Sequence, residues 1–318
     1  MEINLITPAG KQLKNGNRTT AMRWAKLLSR LGHRVDITNN YDGRPVDLLI
    51  ALHAWHSAKA VERYRIQSPT GPLVVGLGGT DVNTFLQSDR QITLNTMKAA
   101  DALISLHDLI GEALPDDLRS KLHVIRQSAT PLSVPRTPSK RHFDICVIGH
   151  LRAEKDPFRA ALAVRQLPDS SNMRVIHLGK ATTADFAKRA RMEMAKKARY
   201  QWLGEVPGWR VRREFVKVHA MVISSLQEGG ANVVSEAVVA GVPIIASNIA
   251  GNRGLLGQDY PGYYAVGETG ALANLLNRAQ TDPRFLKSLS SHGQKLAPLF
   301  EPFREQAALK EIVNRVTS

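Results

Sequence analysis

Two glutamates, Glu228 and Glu236, stand in the stretch SSLQEGGANVVSEAVVAGVPIIAS (224–247), the segment of the chain whose residue types and spacing suggest the most chemistry. An apolar strand ends at Ser224–Ser225, Gly229 and Gly230 follow in a loop, a helix begins near Ala231, and a second strand starts after Gly241-Val-Pro243. Paired glycines let the backbone approach a ligand closely. The amides of Ala231, Asn232 and Val233 then form an anion site that the helix dipole reinforces. A diphosphate suits such a site. Glu228 in the loop offers an acceptor to a sugar hydroxyl, and Glu236 further along the helix offers one to a ribose, so the pattern matches a nucleoside diphosphate sugar. The plain alternative is one capping glutamate and one ordinary exposed glutamate.

Three stretches in the first half have residues of similar promise. In ITPAGKQLKNGNRTTAMRWAKLLSRLGHRVDI (6–37), Gly16 and Asn17 permit a tight turn. Arg18, Thr19 and Thr20 bring a cation, hydroxyls and helix amides to an anion, with Lys11, Lys14 and Arg23 adding charge. This is not a Walker loop. In GLGGTDVN (76–83), Asp81 either binds a sugar or acceptor or caps the following turn. In ALHAWHSA (51–58), His53 and His56 follow a strand and either enter a cleft or sit satisfied in packing. No Cys, Asp or Glu pattern beside them suggests a metal site. Cys146, the single cysteine, lies in the apolar run FDICVIG and reads as a core residue that excludes an internal disulfide.

The elements that must hold these loops repeat one plan. INLIT, RVDIT, DLLIAL, PLVVGL, ALISL and HVIRQ are short apolar runs in the first half, and FDICVIG, RVIHLG, YQWLG, AMVISS, PIIAS and YYAV in the second. Segments of helical period separate them. Between the first two, Ala21, Trp24, Ala25, Leu28 and Leu31 form the stripe of a helix packed on a sheet, ended by Gly32. Such alternation predicts an α/β fold of two Rossmann-like domains with parallel sheets covered on both faces and ligands at the carboxyl ends of the strands. The proline-rich stretch 130–142 reads as the linker. It gives an N-terminal acceptor-side domain over 1–138, a C-terminal nucleotide-sugar domain over 139–298, and a C-terminal helix over 299–318 that packs back toward the first domain.

With 43% hydrophobic and 22% charged residues the chain has the composition of an ordinary globular protein. No apolar run suffices to cross a bilayer and no export signal is evident, so a cytoplasmic location is expected. The net charge of +15 favours anionic partners. Because the Lys and Arg residues are scattered, and no zinc-finger or RNP-type pattern occurs, the expected partners are small anions rather than nucleic acid. The stretch KRARMEMAKKAR (188–199) reads as an exposed basic helix.

The Glu-x7-Glu segment, with its Glu-Ala and following Gly-x-Pro, resembles the glycosyltransferases of the GT-B fold, whose two Rossmann-like domains face each other across a cleft. That resemblance implies that Glu228 lies by the donor sugar as a catalytic group and that Glu236 holds the ribose. The stretch VIGHLRAEKDP (147–157) resembles the family's Gly-Arg-Leu-x-x-Glu-Lys motif, whose Arg and Lys neutralise the donor diphosphate. Lys155 falls in register. His150 stands at the family's Arg position and Arg152 two residues on, which leaves open which of them meets a phosphate. The glycine loop at Gly16 faces the donor in that family. Gly78 stands where related enzymes often carry a histidine on the acceptor side, which implies an acceptor that needs no base.

The combination GNRTTAMRWAKLLSRLGHRV, YDGRPVDLLIALHA, GGTD, VIRQSA and GHLRAEKDPFRAA is similar to the selenosugar synthases of selenoneine biosynthesis, which join selenophosphate to the sugar of UDP-N-acetylglucosamine. The resemblance implies a UDP-sugar donor, selenophosphate as acceptor, and no cofactor or metal. The rival readings are a transferase acting on a hydroxyl of a small metabolite or lipid, and a UDP-sugar epimerase.

Overall fold

In the computed structural model, which describes residues 1–8, 10, 16–196 and 199–318, the apolar runs form twelve strands in two six-stranded parallel sheets. Lys11 and Lys14 lie outside the described residues. The first sheet contains β1 (Glu2–Ile6), β2 (Arg34–Thr38), β3 (Leu48–Leu52), β4 (Leu73–Gly76), β5 (Ala102–Ser105) and β6 (Leu122–Val124), in the order β2-β1-β3-β4-β5-β6. All five side chains of β3 are buried. Leu49 and Ala51 point into one core, and Leu48, Ile50 and Leu52 into the other, so the period of two is hidden in a continuous apolar run.

The helix Gly16–Arg30 lays Ala21, Trp24, Leu27 and Leu28 on the second of these cores. It stops where Gly32 takes φ +87, a conformation that glycine adopts without steric penalty. The C-terminal helix Pro302–Thr317 adds Leu309, Ile312 and Val313 to the same core.

The second sheet contains β7 (Phe143–Ile148), β8 (Met173–Leu178), β9 (Tyr200–Trp202), β10 (Ala220–Ile223), β11 (Ile244–Ser247) and β12 (Tyr263–Tyr264), in the order β12-β11-β10-β7-β8-β9. Cys146 lies in β7 with no exposed surface, and burial pushes its thiol well above the ordinary range. The helix Ala184–Lys196 carries most of the predicted basic stretch, with Ala190 and Glu193 buried on its inner face.

In each sheet the chain reverses its direction of winding at one place, between β1 and β3 in the first and between β7 and β10 in the second. Loops after those strands diverge and leave a crevice outside their carboxyl ends.

The compact units divide the chain differently from the linker reading. One unit comprises residues 1–128, 229–232 and 300–318, and the other residues 129–228 and 233–299. The proline-rich stretch therefore belongs to the second unit. Thr137 N donates to Val216 O at 2.8 Å and Ser139 N to Lys217 O at 3.0 Å. The Arg136 guanidinium meets the carbonyls of Phe215 and Gly241 at 3.2 and 2.6 Å, which caps the end of the helix Gly208–Lys217. Backbone carbonyls left over at a helix end attract such a cation, and composition alone does not reveal it.

Candidate active site

The winding reversal of the second sheet gathers the loops after β7 and β10. After β7 the chain runs through Gly149 and His150 to a single 3-10 turn, Ala153–Lys155, and leaves it through Asp156 in the left-handed region at φ +42. The β7 and β8 loops touch so closely that a Cβ on Gly179 would lie 1.9 Å from the Gly149 carbonyl oxygen. His177 donates from Nε2 to that same carbonyl at 3.0 Å and accepts from Tyr200 at Nδ1. Burial pushes its pKa down to about 4, in keeping with a neutral ring.

The β10 loop is stitched to the β7 loop. Leu226 N donates to Glu154 O at 2.8 Å, and Ser224 Oγ lies 3.0 and 2.9 Å from the carbonyls of Lys155 and Asp156. The result brings Lys155 Nζ into direct contact with Glu228 Oε1, which also accepts from Ser225 Oγ at 2.6 Å. The carboxylate is 10% exposed and the ammonium 21%, so the pair is shielded yet reachable. Behind it, a Cβ on Gly251 would lie 2.4 Å from the Glu228 carbonyl oxygen. A cation of the kind that suits a phosphate oxygen thus sits beside a carboxylate that can accept from hydroxyl groups.

The other residues expected on the donor side occupy varied settings. Arg152 is exposed and pairs with Glu154 at 3.9 Å, whereas His150 Nδ1 accepts the Lys180 amide at 3.1 Å. Gly230 adopts φ +114, and the helix Asn232–Val239 begins directly after Ala231, with half-buried Glu236 in its second turn. Gly229 packs on the turn after β4, where a Cβ would meet Gly79 N at 2.3 Å. Ser225 and Gly251 escaped sequence reasoning. The only signal for them was the Ser-Ser at the strand end and a small residue after IIASNIA.

In the first unit, Gly16, Asn17, Arg18 and Thr19 lie at the start of the first helix, after β1. Thr20 follows them on that helix. It is 6% exposed, and its hydroxyl is taken by Gly16 O at 3.0 Å and by the Gln127 amide. Arg23 is likewise committed, with Nε on Glu305 Oε1 at 3.0 Å and Nη1 on Asn232 Oδ1 at 2.8 Å.

Asp81 has no exposed surface. Its carboxylate accepts the amides of Ala54, Trp55 and Gly78 at 2.8, 2.9 and 2.7 Å and faces His53 Nδ1 at 2.8 Å. A buried carboxylate with four donors organises the two loops around it. His53 sits at φ +74, a strained backbone for this residue type. Its Nδ1–H points to the carboxylate in preference to the longer 3.3 Å approach of the His56 amide, and Nε2 is left to accept from Thr80 Oγ1 at 2.7 Å.

The same imidazole lies beside Gly78, the position at which the sequence lacks one. A Cβ on Gly78 would lie 2.8 Å from His53 Cδ2, so the ring of the residue that follows β3 fills the space beside residue 78. Among the described residues, no group of three His, Cys, Asp or Glu side chains could hold a metal ion.

Two Rossmann-like units, each with a winding reversal that opens a crevice at the carboxyl ends of its strands, define a doubly wound α/β class of protein. The chain belongs to the family of glycosyl transferases group 1, whose pattern matches residues 134–296. It is a glycosyltransferase. It is 20% identical over 311 residues to Glycosyltransferase 1 domain-containing protein 1 of Xenopus tropicalis, covering 88% of each chain. Its structure is similar to Anabaena HepE in complex with UDP and glucose (TM-score 0.80, 18% identity, 99% of this chain and 100% of that one). It is also similar to sucrose-phosphate synthase from Thermosynechococcus elongatus (TM-score 0.81, 16% identity, 99% and 98%). Both likenesses extend over the two sheets and show the GT-B fold.

Proposed function

We propose that this glycosyltransferase takes N-acetylglucosamine from its UDP conjugate and transfers it to selenophosphate, forming a carbon–selenium bond at C1. The observation that carries the donor half is the Lys155–Glu228 contact at the winding reversal. UDP bound to the similar HepE supports the nucleotide. In this reading selenium attacks C1 as the C1–O bond to UDP breaks, and the electron pair leaves with the diphosphate. Lys155, with Arg152 or His150, offsets that charge, aided by the backbone of Gly229, Gly230, Ala231 and Asn232. Glu228 orients the sugar and Glu236 the ribose. Selenophosphate rests on the sequence resemblance and on the basic start of the first helix around Asn17, Arg18 and Thr19.

A second acceptor, the hydroxyl of a small metabolite or lipid, is favoured by one observation, the Asp81–His53–Thr80 chain beside Gly78. A hydroxyl must lose a proton, and His53 Nε2 can take it through Thr80 Oγ1.

The test incubates the protein with UDP-N-acetylglucosamine alone, with selenophosphate, and with simple alcohols, and follows UDP and sugar products by mass spectrometry. A selenium-containing sugar formed only with selenophosphate is the expected outcome. Transfer to alcohols that His53→Gln abolishes would replace it with the second reading, and a changed sugar nucleotide without an acceptor would indicate an epimerase.

A further inference from the structure

Glu305 lies far along the chain from every donor motif, yet it is 2% exposed and pairs with Arg23. Its Oε1 accepts from Arg23 Nε at 3.0 Å and Trp24 Nε1 at 2.9 Å, and its Oε2 from the Ser128 amide at 2.8 Å and the Ser128 hydroxyl. Arg23 then reaches on to Asn232 Oδ1 at 2.8 Å. With the Gln127 amide turned to satisfy its neighbours, its nitrogen donates to the same Asn232 oxygen at 2.8 Å and to Gly230 O at 3.3 Å, and its oxygen accepts from Arg23 Nη2 at 3.1 Å. All of these residues belong to the first compact unit, in which 229–232 is a short separate piece.

A buried ion pair is a weak way to stabilise a fold, since apolar side chains of the same volume often serve as well. This one ends on Gly230 and Asn232, which form the turn that opens the helix Asn232–Val239. We infer that Glu305 and Arg23 are positioning residues for the donor, holding the Gly230–Asn232 turn in the orientation its amides need to meet a diphosphate. Arg23 meets the carboxylate and the Asn232 amide oxygen from two nitrogens held in one plane, a geometry that the single ammonium of lysine does not reproduce. The inference rests on the donor reading and is independent of the acceptor.

The test compares wild type, Arg23→Lys, Asn232→Ala and the double variant by calorimetric titration with UDP, with melting temperature as a control for folding. Arg23→Lys is expected to weaken UDP binding about tenfold, the size of one lost charged hydrogen bond. The double variant should lose no more than Asn232→Ala alone, because both changes break the same link. Losses that simply multiply, or unchanged UDP affinity in Arg23→Lys, would overturn the inference.

Hydrogen exchange of ligand-free protein gives a second readout. The amides of 229–236 should exchange faster in Arg23→Lys while the strands stay protected, and unchanged exchange there would also overturn it. If wild type itself fails to bind UDP, the donor reading falls, while faster exchange at 229–236 would still uphold the hold of Arg23 on that turn. Glu305→Gln keeps the shape and two acceptor contacts at Oε1, and should retain UDP binding better than Glu305→Ala.

Discussion

At the scale of single residues, Glu228 and Glu236 should separate in kinetics. Glu228 touches Lys155 and faces the reacting sugar in the proposed mechanism, so Glu228→Ala should chiefly lower kcat, by about a hundredfold or more, in line with loss of one charge-directing group. Glu236→Ala should chiefly raise the donor KM, because a ribose contact is the same in ground and transition states. Steady-state rates over a range of UDP-sugar concentrations make the distinction, and full activity in both variants would sink the site. The spacing of the pair was legible in sequence because the acidic residues and glycines lie in one continuous segment. The buried state of Asp81 and Thr20 was not, since it depends on partners such as Ala54 and Gln127 that are remote in sequence. The place of His53 beside Gly78 was hidden for the same reason: it arises from the neighbouring strand.

Titration provides a second residue-scale prediction. Burial lowers the pKa of both His107 and His177 to about 4 from 6.5. The unfolded chain therefore binds more protons than the folded one between those values, and stability falls as pH drops from 6.5 toward 4. Each group accounts for up to about 3 kcal/mol over that window, and the loss levels off below it. Neither ring nitrogen of His107 has a partner among the described residues. Urea midpoints measured from pH 7 to pH 4.5 should decline, and His107→Leu should flatten that slope. An unchanged slope would show that His107 is not one of its sources.

At the scale of elements, close glycine contacts fix the loop geometry. A methyl group at Gly251 would press on the backbone oxygen of Glu228 at 2.4 Å, where no flexible side chain can yield. Gly251→Ala should leave a folded protein whose kcat/KM is about a hundredfold lower, the cost of displacing a reacting group by a fraction of a bond length or more. Unaltered turnover would mean that the Glu228 peptide tolerates the shift. The twelve strands were readable because apolar runs between helical segments leave few alternatives in an α/β chain. The unit boundary was not, because the guanidinium of Arg136 binds a proline-rich stretch to helix-end carbonyls, and linker composition carries no trace of that contact.

At the scale of the whole molecule, the net charge of +15 is the broadest property and the least informative about chemistry. No helix among the described residues is long and apolar enough to cross a membrane. The effect of the charge is long-range attraction for anions, which salt screens over about 10 Å at 0.1 M. Nucleic acid engages many cations at once and its binding falls as a steep power of salt, whereas a UDP-sugar presents two charges and should show a shallow slope. Titrations at about 50 mM and about 300 mM salt should therefore diverge, with nucleic acid released by orders of magnitude and UDP weakened only several-fold. In the same high-salt buffer, added nucleic acid should leave glycosyl transfer unchanged. Tight nucleic acid binding that persisted there and displaced UDP would make the positive charge a binding surface in its own right. Release with turnover intact would make it the source of a general field that draws two anionic substrates toward groups such as Lys155, whose effect depends on exact contact rather than on net charge.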